Sequence, residues 1–458
     1  MTGLRRRREG SSTRSIAAVL VGLLMAGAAA AQLGPEPREP NVLRYVARIE
    51  PNIATGFVNG LVTIRLDTTG EDAAAFAFDA GDLEIDSVRE SGAAAAFVKL
   101  DRRLVVTLST ARAAAGRRDI EIAYHGSPRR GITFARDAEQ VSTAFFTSDW
   151  LPCVDAPSER ATLDLTVVVP AGLVVAASGR AVGDKREGGR VASRWRLDRP
   201  APCYLFGFAA GRFSEARDRA GDVQLRYLGP PTFTPAQLRE VFAATGDMLD
   251  FFASKAGLPY PGSSYTQALL VNGSGQELAT MAVFGERYGR AVLANANDVW
   301  LGAHEAAHQW WGNSVTNATF GHFWLNEGIG TFMTAAYLEH RARRAEYLRQ
   351  IDAAKAKYEA LRAAGKDKPL VFDGWSNPSA DDRSIVYDKG AYVVHLLREE
   401  LGETAFWAGI ARYTQRHWGG PVTTEDFRAA LEEASGRDLG AFFARWVYGS
   451  DEAPPAAR

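Results

Sequence analysis

Cysteine is almost missing from this chain: Cys153 and Cys203 are the only two in 458 residues. Two cysteines cannot build a disulfide framework or a cysteine zinc site. A single disulfide in an oxidising compartment and a pair of buried thiols both remain open. An excess of charge is missing too. Lys and Arg total 53 against 54 Asp and Glu, and the only basic run is at residues 5–8. Nucleic acid is thereby excluded as a partner, since a protein that binds it carries a basic face. Long apolar runs are also scarce. The uncharged stretch 16–31 falls short of the roughly twenty residues that a membrane span needs. It follows the arginines at 5–8 and 14 and ends in Ala29-Ala30-Ala31 before Gln32. That order predicts a signal peptide at 1–31, a tail at 32–44, an exported protein and no stable membrane insertion after cleavage. A retained anchor is the alternative.

What remains is ordinary globular composition, in a chain longer than one hydrophobic core usually serves. From about residue 45 the sequence runs in short β-rich segments such as Leu61-Val62-Thr63-Ile64-Arg65-Leu66, broken by Gly, Asp and Pro. This rhythm predicts an antiparallel, all-β unit at 45–215. Helical periodicity then takes over, at 235–256, 298–312, 327–344 and 389–402, with strands expected at 265–271 and 281–284. The expected fold class is α+β multidomain, the mainly helical unit occupying 216–458.

The densest chemistry lies in His304-Glu305-Ala306-Ala307-His308. Four-residue spacing sets both imidazoles on one helical face a turn apart, where they can share an ion, with Glu305 bordering the same cleft. Two histidines do not fill a zinc shell; a catalytic site takes a third protein ligand and leaves the fourth position to water. Glu327 stands nineteen residues after His308, where another helix is expected to begin, and is the natural third ligand. The plainer alternative is a first-turn glutamate that complements the helix dipole. The expected cofactor is one zinc ion per chain. In that setting Glu305 is placed to take the proton of the attacking water.

Several motifs together resemble the aminopeptidase N and leukotriene hydrolase group of gluzincin metallopeptidases. These are His304-Glu305-Ala306-Ala307-His308-Gln309-Trp310-Trp311-Gly312-Asn313, Phe323-Trp324-Leu325-Asn326-Glu327-Gly328, Val386-Tyr387-Asp388-Lys389-Gly390-Ala391 and, in the β unit, Trp150-Leu151-Pro152-Cys153-Val154-Asp155-Ala156-Pro157. The resemblance runs from about residue 45 to 455. It implies a saddle-like β domain followed by a thermolysin-like catalytic domain, and it nominates Tyr387 as the donor to the oxyanion. Longer members carry further C-terminal domains over the site, so a more open cleft is expected here.

One segment departs from the family's pattern. The family's Gly-x-Met-Glu-Asn strand supplies a glutamate that binds the substrate's free α-amine, and here the region reads Gly273-Ser274-Gly275-Gln276-Glu277-Leu278-Ala279-Thr280-Met281-Ala282-Val283-Phe284-Gly285. A register set by Met281 and Gly285 puts Ala282 at the glutamate's place. A register set by the distance from Pro261 nominates Glu277, with Glu286 a fainter candidate. The expected function is removal of N-terminal residues from peptide substrates. A zinc endopeptidase or epoxide hydrolase on the same scaffold is the alternative, and a noncatalytic exported binding protein is a third reading.

Overall fold

The computed structural model describes residues 37–69, 73–109, 116–375 and 377–449. The expected signal peptide lies outside the described residues. The first strand, Asn41–Asn52, begins four residues before the expected start of the β unit. It pairs antiparallel with Phe57–Asp67 and parallel with Ala161–Pro170, inside an eight-stranded sheet. Strict alternation along Phe57–Asp67 buries Val58, Val62, Ile64 and Leu66 while Arg65 faces water, so one face of the sheet packs the core. The parallel pairing departs from the expected antiparallel unit. Short hairpins dictate antiparallel pairing only between chain neighbours, and more than a hundred residues separate these two strands.

A five-stranded sheet joins the β unit to the helices, in the order Ser214–Ala220, Val223–Gly229, Ser264–Leu270, Met281–Gly285, Gln276–Leu278. Successive side chains of a strand point to opposite faces. Met281 and Val283 accordingly pack into the core of the β unit, whereas Ala282 and Phe284 pack into the helical core. The sheet is the wall that both cores share.

The helices differ from expectation at their ends. The expected 235–256 helix is two: Pro235–Val241, started by a capping box of Thr234 and Gln237, and Thr245–Ala256, closed by left-handed Gly257. In place of 298–312 the helix is Trp300–Ala307 with His308 as its C-cap, because the chain turns back there: the Asn313 amide donates to the His308 carbonyl and Gly312 takes φ 128°. The 327–344 helix is Trp324–Arg341, which sets Glu327 in its first turn. The last expected helix extends to Gly390–Arg416 and bends at Gly402, a position with φ 74°. Among the described residues no helix is long and apolar enough to cross a membrane. Cys153 and Cys203 are both buried free thiols.

Helices Trp324–Arg341 and Gly390–Arg416 touch backbone to backbone. A Cβ on Gly328 would lie 2.9 Å from the Gly390 Cα and 3.0 Å from the Val386 carbonyl oxygen. This contact fixes the distance between Glu327 on one helix and Tyr387 just before the other. Gly328→Ala should therefore force the helices apart, at a cost of about 1–3 kcal/mol for overpacking. Chemical denaturation should show that loss together with weaker metal retention; a variant of unchanged stability and metal content would refute the role of the crossing.

Candidate metal centre

The structure gathers His304, His308 and Glu327 at one point. His304 Nε2 lies 3.0 Å from His308 Nε2, and Glu327 Oε2 lies 3.3 Å and 3.4 Å from the two imidazoles. All three residues are between 1% and 4% exposed. Tetrahedral bonds of about 2.05 Å set ligand atoms about 3.3 Å apart, so the spacing suits a zinc ion. Glu327 Oε2 is buried and makes no hydrogen bond beyond these contacts with the two imidazoles, as suits a ligand atom. His308 Nδ1 donates to the Trp311 carbonyl at 3.0 Å, which fixes the ring and points Nε2 at the site. Gly330 is part of the cradle, since a Cβ there would press to 2.9 Å from His308. The donor set, two imidazoles and one carboxylate with an open position, is that of a single catalytic zinc.

Two further carboxylates border the centre. Ligand atoms of Glu277, Glu305 and His308 all lie within 4.8 Å of one another. Both glutamates are buried, and Glu305 Oε2 and Glu277 Oε1 lack partners. Burial first, then the Glu277 charge, pushes the Glu305 carboxyl well up. Burial likewise raises Glu277 to about 7, against the pull of His308. Burial opposes the charge on His308, yet Glu327 and Glu277 outweigh it and hold the imidazolium up to about 10. Glu327 is the carboxylate that stays ionised: burial works against it, but His308 and His304 draw it down to about 2.

The sheet decides the register that the sequence left open. Gln276–Leu278 runs antiparallel to Met281–Gly285, with Glu277 directly opposite Ala282. Ladder partners project to the same face, and Ala282 packs into the helical core. Glu277 thus faces the metal centre, and Ala282 is its neighbour across the ladder. Glu286 is elsewhere, at the start of Glu286–Ala294 and paired with Arg290 at 3.3 Å.

Tyr387 occupies a π turn, Ile385–Lys389, a distortion found often at functional sites. Its ring stacks on His304 with centroids 5.8 Å apart. Burial, then repulsion from Glu327 and Glu277, keeps its hydroxyl protonated. The turn is pinned beside it: Asp388 accepts from Lys357 Nζ at 2.9 Å and Ser384 Oγ at 2.6 Å, and Lys389 Nζ donates to Asp367 at 2.6 Å.

Some contributors escaped the sequence reading. Trp300 stacks on His304 with centroids 5.0 Å apart and planes 11° apart; it sits one helical turn before His304, and that spacing was the available signal. Gly275 leaves room for Glu305, whose Oε1 would lie 2.4 Å from a Cβ there. Gln309 and Asn313 both donate to the Leu278 carbonyl at 3.1 Å, which ties the Glu277 strand to the end of the histidine helix. No local pattern announces these long-range contacts.

Comparison with known proteins agrees with this geometry. The sequence profile of the Peptidase M1 N-terminal domain matches residues 41–205, and that of the Peptidase family M1 domain matches residues 283–446. Aminopeptidase M1 of Arabidopsis thaliana is 25% identical over 453 residues, covering 91% of this chain and 51% of that protein. Leucine aminopeptidase 2 of Aspergillus oryzae is 30% identical over 300 residues, covering 63% and 47%. The chain spans about half the length of such relatives. Among solved structures, the M1 zinc metallopeptidase of Deinococcus radiodurans superposes with a TM-score of 0.75 at 22% identity over 92% of this chain and 96% of that one. Yeast LTA4 hydrolase superposes at 0.76 and 20% identity, over 93% and 71%; these two likenesses concern the fold. With the family's N-terminal and peptidase domains in sequence, and a two-histidine, one-glutamate centre in the second, the chain belongs to peptidase family M1.

Proposed function

We propose that the protein is an exported zinc aminopeptidase that removes N-terminal residues from peptides, with His304, His308 and Glu327 as metal ligands. The observation that carries this reading is the convergence of those three ligand atoms beside two further buried carboxylates, Glu305 and Glu277. Export rests on the composition of residues 1–31.

Zinc held at this site supplies a Lewis acid and lowers the pKa of water toward about 7. Glu305 follows His304 on the helix, and its carboxylate takes the water's proton and returns it to the departing amine. The partnerless Oε2 of Glu305 is free to accept that proton. Tyr387, kept in its phenol form, donates to the oxyanion that develops on the substrate carbonyl. Glu277 offers an acceptor without a partner to a substrate ammonium, and a buried pairing of this kind counts for far more than an exposed one. Its place supports cleavage of the first peptide bond. The α-nitrogen and carbonyl carbon of one residue are about 2.5 Å apart, and Glu277 reaches within 4.8 Å of His308. An ammonium anchored there would leave the first peptide bond within reach of a zinc ion held by His304, His308 and Glu327.

Glu305→Gln should keep its zinc by elemental analysis yet lose at least about a hundredfold in turnover, because an amide cannot take the proton. Near-normal activity with metal retained would remove Glu305 from the mechanism. Tyr387→Phe should lower kcat with little change in KM, corresponding to about 2–4 kcal/mol of lost transition-state stabilisation. An unchanged kcat would place the donor elsewhere. Wild type should cleave free-amine aminoacyl substrates far faster than acetylated peptides, and Glu277→Ala should raise KM for the former alone. Equal rates on the two substrates in wild type would favour endopeptidase action, and a zinc-loaded protein inert to both would favour a binding protein.

A further inference from the structure

A cavity of about 410 Å³ opens at the seam between the two units, and none of Glu277, His304, Glu305, His308 and Glu327 lines it. Its wall includes four arginines, Arg160, Arg180, Arg196 and Arg199, against one acid, Asp198. The acid is already engaged: it accepts from Arg180 Nε at 3.1 Å and lies 3.9 Å from Arg196 Nε. Arg196 also shares Asp164, at 3.3 Å, with Arg44 and Arg194.

Arg160 has no carboxylate within 4.0 Å among the described residues. Its guanidinium donates instead to Thr316 Oγ1 at 2.7 Å, the Asn313 carbonyl at 2.9 Å and the Pro200 carbonyl at 3.2 Å. A guanidinium has five N–H donors, so two are left over, and Nε is among those without a partner. Burial lowers the group's pKa only to about 10, so it is charged at neutral pH. A cation set into protein with only neutral acceptors is costly unless an anion joins it. Arg199 stands at the rim, exposed, with no ion pair among the described residues and its guanidinium 5.9 Å from the Trp418 ring centroid. All four arginines come from the β unit, while Asn313 and Trp418 come from the helical unit.

We propose that this cavity is a binding site for a small oxyanion, a phosphate or a carboxylate, held at the seam by Arg160 and Arg199. Planar guanidinium forks suit the paired oxygens of either group, and clefts between structural units are common ligand sites. Arg160 already donates to Thr316 and Asn313 of the helical unit, so an anion bound to it braces that contact and stabilises the folded chain by mass action. The proposal is independent of the peptidase reading, since it concerns neither the metal nor turnover.

The test is calorimetric and thermal titration of the zinc-loaded full chain with inorganic phosphate and, separately, succinate, with sodium chloride at matched ionic strength as control. Saturable binding with Kd below about 1 mM, accompanied by a rise in Tm that chloride does not reproduce, is the expected result. The tighter of the two ligands identifies the class. Arg199→Glu should weaken binding at least about tenfold with little change in the Tm of the unliganded protein, because this exposed side chain has no ion pair among the described residues and only a long contact to Trp418 to lose. Arg186→Glu, exposed near the turn of the hairpin that carries Arg180, Arg196 and Arg199 but outside the cavity wall, should bind as wild type. The metal-free His304→Ala variant should also bind as wild type; loss of binding there would put the anion on the metal and overturn the proposal. Unaltered affinity in Arg199→Glu, no saturable binding, or an equal effect of chloride would overturn it as well.

Discussion

Three buried carboxylates, Glu277, Glu305 and Glu327, crowd two imidazoles in a space almost closed to water, and the rest of the molecule is arranged around that concentration of negative charge. A lone carboxylate moved from water into protein is strongly disfavoured. The cluster relieves this by sorting its protons. Glu327 stays ionised against the His308 imidazolium, while burial and mutual repulsion push Glu305 and Glu277 up. Environments that drive neighbouring groups apart in this way assign different roles to chemically identical side chains. A divalent cation suits the cluster better than protons do. Such a cation would take the place of the proton on His308, since a ligating imidazole must be neutral, and its charge would favour ionisation of the Glu305 carboxyl, the form that the proposed proton transfer requires.

Holding such a cluster demands a rigid frame, and the frame relies on absent side chains. Gly328 against Gly390, Gly275 against Glu305 and Gly330 against His308 are each places where one methyl group would collide. Close-packed interiors transmit such a collision instead of absorbing it. The strand that carries Glu277 is a sheet edge, a position that leaves its outer hydrogen-bonding groups without a ladder partner. Here the Leu278 carbonyl is taken up by Gln309 and Asn313, which follow directly on the histidine helix. Ligand helix and edge strand therefore move as one piece.

Much of this was legible in the sequence, for a physical reason. The i, i+4 spacing of His304 and His308 is a property of a single helix, so reading it needs no tertiary information. Glu327 required only the further step of a helix beginning near residue 327. The divide between a β unit and a helical unit was visible in the change of periodicity. Helix ends were less accurate, because termini are decided by partners such as the Asn313 amide, which returns to His308 from five residues on. The place of Glu277 could not be settled locally. Two anchors gave two registers, and only the pairing of Gln276–Leu278 with Met281–Gly285 shows Ala282 to be its ladder partner. The Gly328 and Gly390 crossing joins residues sixty-two apart and leaves no periodic trace.

The β unit takes part in shaping the centre from which it seems remote. Its Tyr204 is buried between the two ligand-bearing segments: the hydroxyl donates to the Gly312 carbonyl at 3.2 Å, just beyond the histidines, and accepts from Asn326 Nδ2 at 3.0 Å, the residue before Glu327. One phenol thus spans the turn after His308 and the first turn of the Glu327 helix. Ala279, next to the Glu277 strand, donates its amide to the Leu205 carbonyl at 2.9 Å. Tyr204 and Leu205, adjacent residues in one turn of 3₁₀ helix, therefore hold the three segments that carry the histidines, Glu327 and Glu277. Because such contacts act through distance and direction, the β unit tunes ligand geometry without presenting a group to the metal. The two units share a sheet, a seam and this single turn, so the site belongs to their junction and not to the helical unit alone.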